Sequence, residues 1–154
     1  MIVHVMTNYT CNKDCEYCYL GILKSIPTII SKNTLENRLS ELCGRYDVDR
    51  IDCYGGETTI LPLDTIIDIF ETCKKYAKTT WVTNLSYPDK VDEIVRQTGC
   101  IYATSLNDER GDDSILEKIM TMEYPPDSII QVATPSLLAK NPKDILDHIS
   151  IYNT

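Results

Sequence analysis

Five short runs read as strands, the first apolar and rich in β-branched residues and the second alternating polar and apolar, and each is followed by a stretch with helical spacing. That alternation of strand and helix narrows the fold more than any other feature of the chain. The runs are Ile2 to Met6, Arg50 to Tyr54, Thr79 to Thr83, Cys100 to Leu106 and Ser128 to Thr134. Parallel strands need a long crossover, usually a helix, so strict alternation predicts a parallel α/β sheet with helices packed on it. The first crossover carries Leu35, Leu39, Leu42, Cys43 and Tyr46 at helical spacing, after Asn33-Thr34-Leu35-Glu36, a capping-box variant. Pro62 opens a second helix with Leu63, Ile66, Ile67, Phe70, Cys73 and Ala77 on one face. Ser86 and Pro88 start a third, with Val91, Ile94 and Val95 inward and Gly99 as its stop. A fourth begins near Asp112 and turns Ile115, Leu116, Ile119 and Met120 inward. Asn141-Pro142 caps a last one carrying Ile145, Leu146 and Ile149. No linker or low-complexity tract divides the 154 residues, of which 43% are hydrophobic, so 1–154 reads as a single domain. Periodicity leaves a curved half-barrel and a flat doubly wound sheet both open.

The chemistry concentrates just after the first run. Cys11, Cys15 and Cys18 stand at spacings of four and three in a polar segment. Three thiolates can grip a metal centre, but they leave a four-coordinate site one ligand short. A closed zinc or rubredoxin-like site needs a fourth ligand, and the two histidines are poorly placed for it: His4 is mid-strand and His148 is near the other end. An iron–sulfur cluster with one open iron fits the count better. The remaining cysteines, Cys43, Cys53, Cys73 and Cys100, are scattered and read as small buried hydrophobes. An odd count of seven, with three in ligand spacing, argues for a reducing compartment and a cytoplasmic protein. The start lacks the basic region and cleavage site of a signal peptide, and no apolar run approaches the roughly 20 residues that span a bilayer. A net charge of −8 opposes nonspecific binding to nucleic acid.

The Cys-x-x-x-Cys-x-x-Cys pattern, with Tyr17 just before its third cysteine, resembles the radical S-adenosylmethionine (radical SAM) superfamily. Tyr54-Gly55-Gly56-Glu57, at the end of the next strand, resembles that family's Gly-Gly-Glu motif. The resemblance covers essentially the whole chain and implies a partial (β/α) barrel, with about five units where six are usual. It implies a 4Fe-4S cluster held by Cys11, Cys15 and Cys18, with SAM on the fourth iron. Reductive cleavage of SAM would then give a 5′-deoxyadenosyl radical that takes hydrogen from a peptide, protein or small-molecule substrate. In that frame Tyr17 packs near the adenine, and Gly55 and Gly56 let backbone approach the methionine part of SAM, with Glu57 nearby. Thr83-Asn84 resembles a Thr-Asn-Gly motif in which Leu85 replaces the glycine, and Ser105 and Asn107 stand where the ribose is contacted. Thr58 replaces a proline that commonly follows the glutamate. Without the resemblance, Gly-Gly is a turn, Thr83, Asn84, Ser105 and Asn107 are turn-formers, and Tyr17 is a core aromatic. No residue stands out as a catalytic acid or base, and radical hydrogen abstraction needs neither.

Two other readings share these residues. A glycyl-radical enzyme activase would suit the compact chain, though the glycine-rich lead-in usual before its cysteines is absent. A truncated module could bind the cluster, SAM or a partner without turnover. The enzymatic readings imply an electron donor of flavodoxin or ferredoxin type. The fifth run, with uncharged Ile129, Ile130 and Val132, falls at or near a sheet edge. Such edges invite pairing, so a second copy, a partner protein or a large substrate is expected to cover the open side.

Overall fold

A computed structural model of the chain describes residues 1–106, 112–132 and 139. Its strands are β1 (Ile2–Met6), β2 (Arg50–Tyr54), β3 (Lys78–Thr83), β4 (Ile101–Leu106) and β5 (Ser128–Gln131). Helices α1 (Lys32–Cys43), α2 (Leu63–Lys74), α3 (Pro88–Thr98) and α4 (Asp112–Thr121) fill the four crossovers. Each strand pairs in parallel with the one before it, giving the order β1-β2-β3-β4-β5. Crossovers of this kind are right-handed, so stepping always in one direction places every helix on the same face. A doubly wound sheet requires the strand order to reverse. The sequential order therefore decides between the two arrangements that periodicity left open, in favour of a singly wound one.

Burial follows from this one-sidedness. Along β3 and β4, Thr79, Trp81, Thr83, Tyr102, Thr104 and Leu106 are buried, while of the alternate residues on the uncovered face Lys78 is exposed and the rest are half-buried. The covered face supplies Ile51, Cys53 and Trp81 to a core completed by Leu35, Leu39, Ile66, Phe70, Val91 and Ile94. Trp81 lies between Phe70 and Tyr102, with ring centroids 5.3 and 5.4 Å away in tilted contact.

Local details depart from the expected pattern. Helix α1 starts at Lys32, because the Ser31 hydroxyl accepts the Thr34 amide at 3.2 Å. That cap lies two residues before the expected one, and Tyr46 falls beyond the helix, 56% exposed. On α2, Ile69 is buried and Ile67 is not. From Ile66, Ile69 is about 60° round the helix and Ile67 about 100°, so Ile69 stays nearer the centre of the buried stripe. Met120, expected to face inward, is 86% exposed. It lies about 140° from the buried Ile115, while Leu116 and Ile119 pack against the core. Ser86 does not cap α3; Tyr87 occupies that position, and Pro88 is the first helical residue. Thr134, Asn107 and the helix expected after Asn141-Pro142 lie outside the described residues. No helix among the described residues is long and apolar enough to cross a membrane.

Candidate functional site

Met6 and Tyr54 are cross-strand partners at the C-terminal ends of β1 and β2. The loops that follow them therefore emerge side by side, at the end of the sheet where parallel α/β proteins build their sites. The Thr7 amide donates to the Tyr54 carbonyl at 2.7 Å, the Gly56 amide to Asn8 at 3.0 Å and the Glu57 amide to Thr10 at 2.9 Å. Side chains reinforce the join. Thr7 Oγ1 donates to the Tyr54 carbonyl at 2.9 Å and lies 3.1 Å from Thr58 Oγ1. Asn8 Nδ2 donates to the carbonyls of Thr10 (2.9 Å) and Glu57 (3.3 Å). Both residues are buried, and both are satisfied within the join.

This packing explains the two glycines differently from the sequence reading. A Cβ on Gly56 would lie 2.1 Å from the Thr10 carbonyl oxygen, and one on Gly55 would lie 2.7 Å from that of Asn8. Gly56 is pressed against the backbone leading into the cysteines and Gly55 against both the side chain and the backbone of Asn8, while both line the cleft described below. Glu57 likewise turns inward. It is 1% exposed, and its carboxylate accepts the Thr59 amide (3.0 Å), the Thr59 hydroxyl (2.6 Å), the Thr83 hydroxyl (2.8 Å) and the Asn84 amide (2.6 Å). Glu57 thus ties the end of β2 to the end of β3.

The Thr83-Asn84-Leu85 turn completes the wall. Leu85 has φ +54°, in the left-handed region that favours glycine, and its side chain is fully buried. The chain keeps a glycine-type conformation here while using the position for core packing. Asn84 Nδ2 donates to Asn12 Oδ1 at 3.0 Å and lies 3.8 Å from Cys11 Sγ. Asn84 therefore faces the cysteine loop.

Cys11, Cys15 and Cys18 are partly buried thiols lining one cleft of about 200 Å³. Tyr17, Gly55, Gly56, Glu57, Thr83, Asn84 and Ser105 line it too, so all the expected site residues within the described chain meet there. Tyr17 is 40% exposed, which makes it a wall of the cleft and not a core aromatic. Burial pushes the Cys11 thiol above its ordinary value, while the Lys13 amide, 3.4 Å from Sγ, pulls the other way. A bound metal ion would override burial and take the thiolate. Among the described residues, no three His, Cys, Asp or Glu side chains converge closely enough to hold a single ion. Three thiols around one cleft, with amide donors near the first, form a donor set of the kind an iron–sulfur cluster takes.

Three contributors escaped the sequence reading. Thr7 and Asn8 are visible in retrospect as polar residues between an apolar strand and the first cysteine. Lys24 has no such signal. A 3-10 turn (Gly21–Ser25) returns it to the cysteine loop, where Nζ donates to the Lys13 carbonyl at 3.2 Å and to Asp14 at 3.1 Å. No family model matches the chain, and no curated protein matches it.

Proposed function

We propose that the chain is a radical SAM enzyme that holds a 4Fe-4S cluster through Cys11, Cys15 and Cys18. The carrying observation is the convergence of three thiols with the ends of β2 and β3 on one cleft at the C-terminal edge of a singly wound sheet. When bound, cluster and SAM would supply a 5′-deoxyadenosyl radical for hydrogen abstraction. The chain's own part is to bind, orient and shield. Asn84 and the Lys13 amide direct N–H groups at Cys11 sulfur, a contact that tunes the potential of a cluster. Gly55 and Gly56 line the cleft, where their carbonyls would serve as acceptors for an ammonium group. Tyr17 offers a ring face to an adenine, and Ser105 a hydroxyl at the end of β4. Glu57 acts one step back, by fixing Thr83 and Asn84. The electron would come from a flavodoxin- or ferredoxin-like donor in the cytoplasm, and the substrate would be a peptide, protein or small molecule.

Anaerobic reconstitution tests the reading. The protein should take up about four irons and release 5′-deoxyadenosine when reduced with SAM. Cys15→Ala should lose most of the iron, whereas Cys43→Ala, outside the cleft, should keep it. Equal loss in the two variants, or no 5′-deoxyadenosine from fully loaded protein, would count against the assignment.

A further inference from the structure

The uncovered face of the sheet carries a second groove, of about 240 Å³. Strand alternation places Arg50, Asp52 and Tyr54 of β2 and Thr80 and Val82 of β3 on it. Its charged end is built around one buried acid. The Asp52 side chain is 5% exposed and accepts Arg50 Nε at 2.6 Å, Arg50 Nη2 at 3.0 Å and the Thr80 hydroxyl at 2.6 Å. Two parallel bonds to a buried carboxylate fix the plane of the guanidinium. Arg50 Nη1 has no hydrogen-bond partner among the described residues. The side chain of Lys78, beside Arg50 in the strand register, makes no ion pair or hydrogen bond among them either. His4 Nδ1 lies 3.8 Å from Asp52, and Asp127 lines the opposite lip. Asp52 and Asp127 match the two cations in number, so what the groove offers an anion is an oriented guanidinium edge beside the Lys78 ammonium, in a chain of net charge −8.

The groove adjoins the cysteine cleft, since Tyr54 and Val82 line both. From Arg50 to Tyr54 the strand advances about 13 Å, at roughly 3.3 Å per residue. We propose that the groove is the substrate channel of the site proposed above: Arg50 and Lys78 hold the carboxylate or phosphate of an extended substrate whose reacting end reaches Tyr54 and Val82. The inference rests on the cysteine cleft being the reaction centre, but anion capture by the groove needs no cluster and can be measured alone.

The test is an NMR titration of the full chain with inorganic phosphate, acetate and sebacate in turn. Sebacate is long enough, when extended, to bridge the interval to Tyr54. Saturable shifts at the Arg50 Nε–H group and the Lys78 amide are expected, and the tighter of phosphate and acetate identifies the headgroup. Sebacate should also shift Tyr54 and Val82, which acetate should leave alone. Lys78→Gln keeps the Arg50–Asp52 pair and should weaken binding about tenfold. Arg50→Gln strands a buried carboxylate, so the Lys78 variant carries the test. A linear response to all three probes, unchanged affinity in Lys78→Gln, or sebacate shifts that stop short of Tyr54 would each overturn the channel. Iron uptake by the wild-type protein separates the two readings. If anions bind but wild-type protein takes no iron, the cysteine reading fails and the anion site stands. If iron loads but no anion binds, only the channel fails.

Discussion

At the scale of single residues, the site depends on atoms that are absent. The neighbour facing Gly56 is backbone, which cannot swing away as a side chain would. Gly56→Ala should therefore lower stability by about 1–3 kcal/mol, the usual cost of overpacking. It should also reduce iron uptake, because the displaced residue, Thr10, immediately precedes Cys11. Urea midpoints and iron per chain after reconstitution measure both effects. Full iron at wild-type stability would show that the two loops do not pack as described. Leu85 poses the reverse case. Leu85→Gly would relieve a left-handed conformation costing about 1–2 kcal/mol. It would also empty a fully buried position, where loss of a leucine side chain typically costs about 2–5 kcal/mol. Lost packing outweighs relieved strain, so thermal unfolding should show Leu85→Gly to be less stable; a stabilised variant would mean that the side chain packs poorly.

At the scale of elements, β2 contributes to both the site and the groove, and its one acid, Asp52, gives it a pH dependence. Burial by itself pushes the Asp52 carboxyl up, but the Arg50 guanidinium and the Thr80 hydroxyl outweigh it and hold the group below its usual value. The folded state thus binds this proton more weakly than the unfolded chain does. The stabilisation is complete above the unfolded value of about 3.9 and is lost as pH falls through the lower folded value. Asp52→Asn should flatten that part of the acid limb in a series of urea midpoints at descending pH. An unaltered acid limb would assign the loss of stability to other carboxylates.

Elements were also where the sequence was most legible. Short runs set between stretches of helical spacing mark strands whichever helix covers them, so four of the five strands were placed to within a residue. Parallel order then obliged the cysteine loop and the Gly-Gly-Glu turn to be neighbours. What periodicity could not resolve was a single step round a helix. Ile67 and Ile69, like Ile119 and Met120, are equally apolar in sequence and differ only in angle from the buried stripe. The roles of Gly56 and Glu57 were hidden for another reason. Each is set by a partner from a different loop, Thr10 for one and Thr83 with Asn84 for the other, and no local pattern encodes those distances.

At the scale of the molecule, a singly wound sheet leaves two edges and one face without helices. Among the described residues β1 pairs only with β2, and β5 only with β4. The edge of β1 is blunted near its C-terminal end, where Asn8 bridges to Ile29 and the Ile30 amide donates to Thr7 at 3.3 Å. On β5, Ile130 remains 47% exposed. A second copy or a partner protein over that side stays our proposal for the active assembly.

The strand register also has a consequence in time. Ile2 pairs with Arg50 across a span more than twice that between Thr80 and Ile101. Closing the longer loop costs about 0.7 kcal/mol more. Within β1 only Val5 is buried, against three residues in each of β3 and β4. The strand that leads into the cysteines should therefore be the last laid down and the first to lift. Iron would then be delivered through a brief peeling of one margin, while the rest of the sheet stays shut. Amide exchange should be faster in β1 than in β3, and loading should quicken in urea well below the unfolding midpoint. Equal protection of the two strands would count against the peeling of β1.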